Sequence, residues 1–263
     1  MASRPRAARR RVARAALAAL AGCVAFLMLP PSASGQPGPR AAAPPPGGAP
    51  DLPTRMLRNG LFLLAGPGGN SMVRFSANGV ILVDGQPAGS DATLRASIRH
   101  IARFADLPVR VLVLTSAGAN HAGTCADTLA RHAALVVQAA TRAALPAACT
   151  PARADKGALQ PFDAAFTVRL GGVTAQALHV GNGPEDGATV VHFADLRVVA
   201  IGDLAPAGLP LPADDRLAGA SAALGRVLAL DFDLAVPGMG PPLLRPEVLA
   251  YRARLDARLS ARP

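Results

Sequence analysis

Cysteine is scarce in this sequence, three residues in 263. The apolar stretch from Ala15 to Leu29 falls short of the ~20 residues a spanning helix needs, which argues against a membrane span. No internal repeat is present, so solenoid and propeller architectures are excluded. Acidic residues are the minority, 17 against 27 basic ones, for a formal charge of +10. That excess points first to nucleic acid or a membrane surface. Six of the arginines (Arg4, Arg6, Arg9, Arg10, Arg11, Arg14) lie ahead of the apolar stretch, and without them 21 basic residues face 17 acidic ones, a net of +4. A nucleic-acid partner is therefore not expected.

What is present at the N-terminus has three parts: the arginines, the apolar stretch, and the small residues Ser32-Ala33-Ser34-Gly35 before Gln36. This is the pattern of a secretory signal peptide over residues 1–35, cleaved near Gly35, giving a periplasmic or secreted protein. Leu20-Ala21-Gly22-Cys23 resembles a lipoprotein box that would anchor the protein through a lipid on Cys23, but the apolar run continues past the cysteine. The twin-arginine pattern is a weaker match. Cleavage near Gln36 leaves Cys125 and Cys149 in a compartment where disulfides persist. Their spacing of 24 leaves a bridge and two buried thiols both open.

Residues 36–54 are rich in Pro, Gly and Ala and read as a linker. From Arg55 to the end the pattern is that of one domain. Strands are expected at Leu61–Ala65, Met72–Ser76, Val80–Val83, Val109–Leu114, Leu135–Gln138, Phe166–Leu170, Val173–Val180, Thr189–Phe193, Val198–Ile201 and Leu234–Val236. Leu94, Ile98 and Ile101 mark one face of a helix over Ser90–Phe104, and further helices are expected at Thr124–His132, Asp215–Leu230 and Pro246–Arg262. Asn78-Gly79 and Gly171-Gly172 signal hairpins. Two strand-rich halves, each closed by helices, fit two sheets packed face to face with helices outside.

Loops at strand ends are where such a domain presents its reactive groups. Four segments carry a resemblance: Val80-Ile81-Leu82-Val83-Asp84-Gly85, Leu112 to Gly123, Asp186 to Phe193 with Gly202-Asp203-Leu204, and Val236 to Pro241. In this order, across nearly all of residues 57–260, the sequence resembles the metallo-β-lactamase superfamily. It is most similar to exported hydrolase-like members that share the turn Gly66-Pro67-Gly68-Gly69-Asn70. The resemblance implies a four-layer αββα sandwich of two mixed β-sheets flanked by helices, with two zinc ions at the strand ends. In the family the loop Thr-His-x-His-x-Asp-His-x-Gly, a later His, a bridging Asp and a His in a Pro-Gly-His-Gly loop hold those ions.

On that alignment most donors are replaced. Ser116 and Gly118 stand where the first two histidines belong, Asn120 where the aspartate belongs, Pro184 at the later histidine and Met239 at the last. His121 and Asp203 are retained. The first zinc site keeps only Asp203. The second keeps His121 and Asp203, with the Asn120 amide and the soft Met239 thioether beside them, below the three good donors of a catalytic zinc site. Dinuclear zinc is therefore not expected, while a single weakly bound metal on His121 and Asp203 stays open, with Cys125 a substitute donor if it is not packed or bridged. Asp84, Gly123, Gly202 and Gly240 hold turns of the frame. His100, His132, His179 and His192 read as structural or solvated, and Arg252, Arg254 and Arg258 as the solvated face of the last helix.

Two functions follow as expectations. One is a catalytically impaired protein that binds an unidentified small molecule or periplasmic protein, with no membrane association beyond its signal or a lipid on Cys23. The other is a hydrolase of ester, thioester, lactam or lactone bonds with a rebuilt mononuclear metal site. Fold alone does not decide between them.

Overall fold

The computed structural model describes residues 52–103, 107–150, 158–182 and 187–261. The expected signal and nearly all of the expected linker, with Cys23, lie outside the described residues, as does Pro184.

Strands β1 (Thr54–Arg58), β2 (Leu61–Gly66), β3 (Gly69–Ser76), β4 (Gly79–Val83), β5 (Val109–Val113), β6 (Ala134–Gln138) and β7 (Leu159–Phe162) form a seven-stranded sheet in sequence order. The first four pair antiparallel and the last three join in parallel. A second, six-stranded sheet runs in the order β13 (Leu243–Leu244), β12 (Leu234–Pro237), β11 (Val198–Gly202), β10 (Thr189–Phe193), β9 (Val173–His179) and β8 (Ala165–Leu170). Only β11 and β12 are parallel there, so both sheets are mixed. Helices α1 (Asp91–Ala102), α2 (Ala119–Ala122) and α3 (Cys125–Ala130) belong to the first half, α4 (Leu217–Leu228) and α5 (Arg245–Ser260) to the second.

Strand alternation divides the apolar side chains into layers. Met72, Ile81, Val83, Val113 and Val136 face Ala177, Val191, Phe193, Ala200 and Val236 between the sheets. Their sequence neighbours Val73, Val80, Leu82, Leu112 and Leu135 turn outward to Leu94 and Ile98 of α1 and to Cys125 of α3. On the other sheet Val190, Val199, Ile201 and Ala235 meet Leu224, Val227, Val248 and Tyr251 of α4 and α5. Strands buried on both faces read as continuous apolar runs, which is why Val198–Gly202 carries no polar alternation. The expected αββα sandwich is the one observed.

The expected strands and long helices all appear, with ends shifted by a few residues. Three strands were not expected from the sequence. β1 is an exposed edge strand, TRMLR, in which only Leu57 is buried. β7 contains Pro161 at the sheet's margin, where a missing N–H costs little. β13 has two residues. The domain's contacts begin just ahead of Arg55: Leu52 is buried and its N–H donates to Ser97 Oγ at 2.8 Å. Gly171 and Gly172, at φ +49° and +86°, supply the doubly left-handed turn of the β8–β9 hairpin. On α5 the arginines do more than meet solvent: Arg254 donates to Leu209 O and Arg258 to the Asp214 carboxylate.

Candidate functional site

The C-terminal ends of β4, β5, β11 and β12 lie together at one edge of the sandwich, and each delivers one part of a polar cluster. Asp84 follows β4 with φ +55°, a backbone conformation that costs a non-glycine residue energy and re-aims its side chain. The carboxylate is buried. Its Oδ1 accepts from Thr115 N at 2.8 Å and its Oδ2 from Thr115 Oγ1 at 2.6 Å, which ties the end of β4 to the residue just beyond β5.

After Thr115 the chain turns through Ser116, whose Oγ accepts from Gly118 N at 3.1 Å, and enters the single turn α2. Here the structure differs from the sequence reading, which places His121 in a loop: it sits in α2, with its N–H on Gly118 O and its C=O accepting from Gly85 N at 2.7 Å. The side chain is 2% exposed. Its Nδ1 stands 3.1 Å from Asp84 Oδ2 and its Nε2 3.0 Å from Asp203 Oδ2. Asp203 leads out of β11, with its carboxylate about one-third open to solvent.

Asp84, His121 and Asp203 therefore form one line, carboxylate, imidazole, carboxylate. A neutral imidazole carries one N–H and one lone pair, so it would point that lone pair at a carboxylate oxygen; the imidazolium donates from both nitrogens. Burial opposes the charge, but the attraction of Asp84 and the bonds to Asp203 and Asp84 outweigh it and push the His121 pKa up to about 11 from 6.5. Gly238 covers the pair: a Cβ there would lie 2.7 Å from His121 Cε1 and 2.6 Å from Asp203 Oδ1, so only glycine fits.

The Pro237–Gly240 loop is held from the opposite sheet. Asn70 Nδ2 donates to Pro237 O and to Gly240 O, both at 2.8 Å, and Asn70 N donates to Gly238 O at 2.8 Å. Gln86, fully buried, binds the same turn, with Nε2 on Gly69 O and Ser71 Oγ and Oε1 accepting from Gly68 N. The turn Gly66–Asn70 thus acts as a staple across the site.

Of the residues singled out in the sequence, Ser116, Asn120 and His121 gather around Gly118. A Cβ on Gly118 would lie 3.2 Å from Ser116 Oγ, 2.7 Å from Asn120 Oδ1 and 3.6 Å from His121 Cδ2. Met239 is half exposed and shares with Asn120 the wall of a cavity of about 410 Å³, lined also by Pro67, Pro87, Ala119 and Ala148. Among the described residues that cleft has no charged side chain in its lining. Cys125 and Cys149 form a disulfide, Cα to Cα 5.4 Å, so Cys125 is withdrawn as a thiolate donor. His192 and His179 make hydrogen-bond contacts to backbone carbonyls, Asp231 O and Ala188 O, away from the cluster.

The donor set does not fit a dinuclear zinc centre. Gly118 has no side-chain donor, Ser116 and Asn120 offer neutral oxygens, and both nitrogens of His121 already face carboxylates. Among the described residues no three His, Cys, Asp or Glu side chains converge as metal ligands. Zinc needs an imidazole lone pair, and gaining one here means deprotonating His121 between two carboxylates.

The sequence reading missed two roles. Asp84 looks like a turn residue, and nothing in VILVDG announces that it faces His121. Asn70 looks like part of a turn, though a side-chain amide among four Gly and Pro residues was the available signal.

No protein-family profile and no curated protein matches the sequence. Solved structures do match it in fold. A metallo-β-lactamase from Pontibacter korlensis superposes with a TM-score of 0.64 at 16% identity, over 81% of this chain and 100% of that one. The metallo-β-lactamase FIM-1 from Pseudomonas aeruginosa, in its mono-zinc form, gives 0.63 at 20% identity over 82% and 99%. A metallo-β-lactamase from Hirschia baltica gives 0.59 at 21% over 78% and 98%. With two mixed sheets between helical layers and this set of neighbours, the chain has the metallo-β-lactamase fold.

Proposed function

We propose that this is an exported protein of hydrolase ancestry that has given up metal-dependent catalysis and works by binding, in the periplasm, a small molecule or a protein partner. The observation that carries the reading is His121 lying between Asp84 and Asp203 with both ring nitrogens engaged. In this arrangement the positive charge that the carboxylates require comes from the imidazolium, inside the protein. The position of the water-orienting aspartate is held by Asn120, whose amide is neutral and offers no carboxylate. The uncharged cleft beside Asn120 and Met239 suits a ligand held by shape and few hydrogen bonds. Export rests on the Arg-rich start, the apolar stretch and the small-residue end of residues 1–35.

The test is the metal content of the purified protein after dialysis against zinc and then against buffer, with ester and lactam hydrolysis followed in parallel. Zinc well below one ion per chain and no chelator-sensitive turnover are expected. One tightly held zinc per chain, with turnover abolished by chelator and by His121→Ala or Asp203→Ala, overturns the reading in favour of a rebuilt mononuclear hydrolase.

A further inference from the structure

A second cavity, of about 660 Å³, opens on the helical layer that covers the seven-stranded sheet, between α1 and α3. It shares none of its lining with the Asp84–His121–Asp203 line or with the cleft beside Met239. Its floor is apolar: Leu82 of β4, Leu94 and Ile98 of α1, and Leu107 and Val109 at the start of β5. The volume lies within the range of small-molecule sites, ~300–1,000 Å³.

The charged residues of the wall are unevenly matched. Arg95 and Arg99 come from successive turns of α1 and Arg131 from the end of α3, against Asp91 and Asp127. Asp127 is already divided between two of the cations, Arg95 Nη1 at 2.5 Å and Arg131 Nε at 3.1 Å. Arg99 is exposed and, among the described residues, has no side-chain partner. Among the described residues, three cations against two carboxylates leave one positive charge at the wall of an apolar pocket. Thr124 and Thr128 add two hydroxyls, but their protons are committed or buried: Thr128 Oγ1 donates to Thr124 O, and Thr124 Oγ1 accepts from Gln86 N.

We propose that this pocket binds an amphipathic monoanion, an aliphatic carboxylate or its like, with the chain on Leu82, Leu94, Ile98, Leu107 and Val109 and the anionic head at Arg99 and Arg131. Each half of the ligand answers one half of the site. An apolar molecule without charge leaves Arg99 unanswered, and a dianion meets Asp91 and Asp127. A guanidinium donates two parallel hydrogen bonds to a carboxylate, a match in shape as well as charge. The site is independent of the binding function proposed above and stands or falls without it.

The test uses decanoate as the probe, below its micelle concentration, with decanol and decyltrimethylammonium as the neutral and cationic comparators, in calorimetric titration of the purified protein. Arg99 and Arg131 are exposed, so Arg99→Glu/Arg131→Glu keeps the fold, which circular dichroism verifies; Arg169→Glu, exposed on β8, is the charge control. Saturable one-to-one binding of decanoate is expected, weakened about tenfold or more in the double variant and by decanol, and unchanged in the control. No saturable binding at millimolar decanoate, or equal binding by the double variant, or equal binding of all three probes, overturns the proposal.

Discussion

The buried His121 makes a prediction that separates its role from that of an ordinary core residue. The ring is almost wholly excluded from solvent between Asp84 and Asp203. Replacing it with Asn keeps a polar side chain of similar reach but removes the charge, leaving two carboxylates without their cation. Breaking a buried ion pair by removing one partner costs about 3–5 kcal/mol. Asp84 keeps its two bonds to Thr115 and Asp203 is partly solvated, so the lower end applies, about 3 kcal/mol, or about 6–12 °C in Tm for a domain of this size. The pH dependence is more diagnostic. His121 has a folded pKa of about 11 against 6.5 in the unfolded chain. A pKa raised on folding gives stability that is fully present below about 6.5 and is lost as pH rises through about 11. Between those limits the folded state holds one more proton than the unfolded, and stability falls with pH by up to about 1.4 kcal/mol per unit. Urea unfolding of the two proteins across about pH 7 to 9 measures this. The difference in stability should shrink steadily as pH rises, because only the parent loses the His121 contribution. A difference that stays constant across that range would refute the imidazolium and leave His121 a neutral core residue.

Asn70→Ala removes the two side-chain bonds to Pro237 O and Gly240 O and leaves those carbonyls short of a donor, at a cost of about 1–3 kcal/mol; limited proteolysis should then cut preferentially near Gly238, and an unaltered cleavage pattern would mean that the turn does not hold the loop. Replacing both Cys125 and Cys149 with Ser opens a covalent loop of sequence separation 24 and should cost about 3 kcal/mol, read as an earlier urea midpoint; the same midpoint before and after reduction of the parent would show that the bridge is absent in solution.

The layered fold was legible because the chain's apolar runs are dictated by burial on both faces, as in Val80–Val83, Leu112–Leu114 and Val198–Ile201; the start of β5, with Arg110 exposed, is not buried in this way. Elements whose side chains face solvent left no such mark: the edge strand Thr54–Arg58 is polar on most positions, and Leu159–Phe162 is interrupted by Pro161. The poor donors expected at the family's ligand positions could be picked out one at a time, since a glycine or a methionine needs no geometry to be recognised as one. The meaning of what remains could not. His121 and Asp203 are 82 residues apart, and whether they share a metal or a proton depends on a distance. Asp84 bears on that question, because carboxylates on both sides of the ring favour the doubly protonated imidazolium. No spacing in the sequence carries this, for the contact is made by the left-handed backbone at Asp84 and the one-turn helix after Gly118, each set by its packing.

The same wiring accounts for how a metallo-β-lactamase fold can keep its site's shape with so few metal donors. Four strand ends meet there, and in a zinc enzyme the ions help to hold them. Here each junction is closed by protein groups: Asp84 to Thr115 joins β4 to β5, His121 joins that pair to the end of β11, and Asn70 joins the first sheet to the loop after β12. Gly238 lies against His121 and Asp203 as a lid of backbone. Restoring one donor, by Gly118→His for instance, would therefore leave His121 protonated between its carboxylates. The imidazole lone pair is the scarce ligand, and it is withheld by Asp84 and Asp203 together. Gain of zinc binding should accordingly require a change at Asp84 as well as new donors, and zinc titration of Gly118→His with and without Asp84→Asn distinguishes the two cases. Binding by the single variant as tight as by the double would show that His121 gives up its proton readily, and the imidazolium could not then be what holds the four strand ends together.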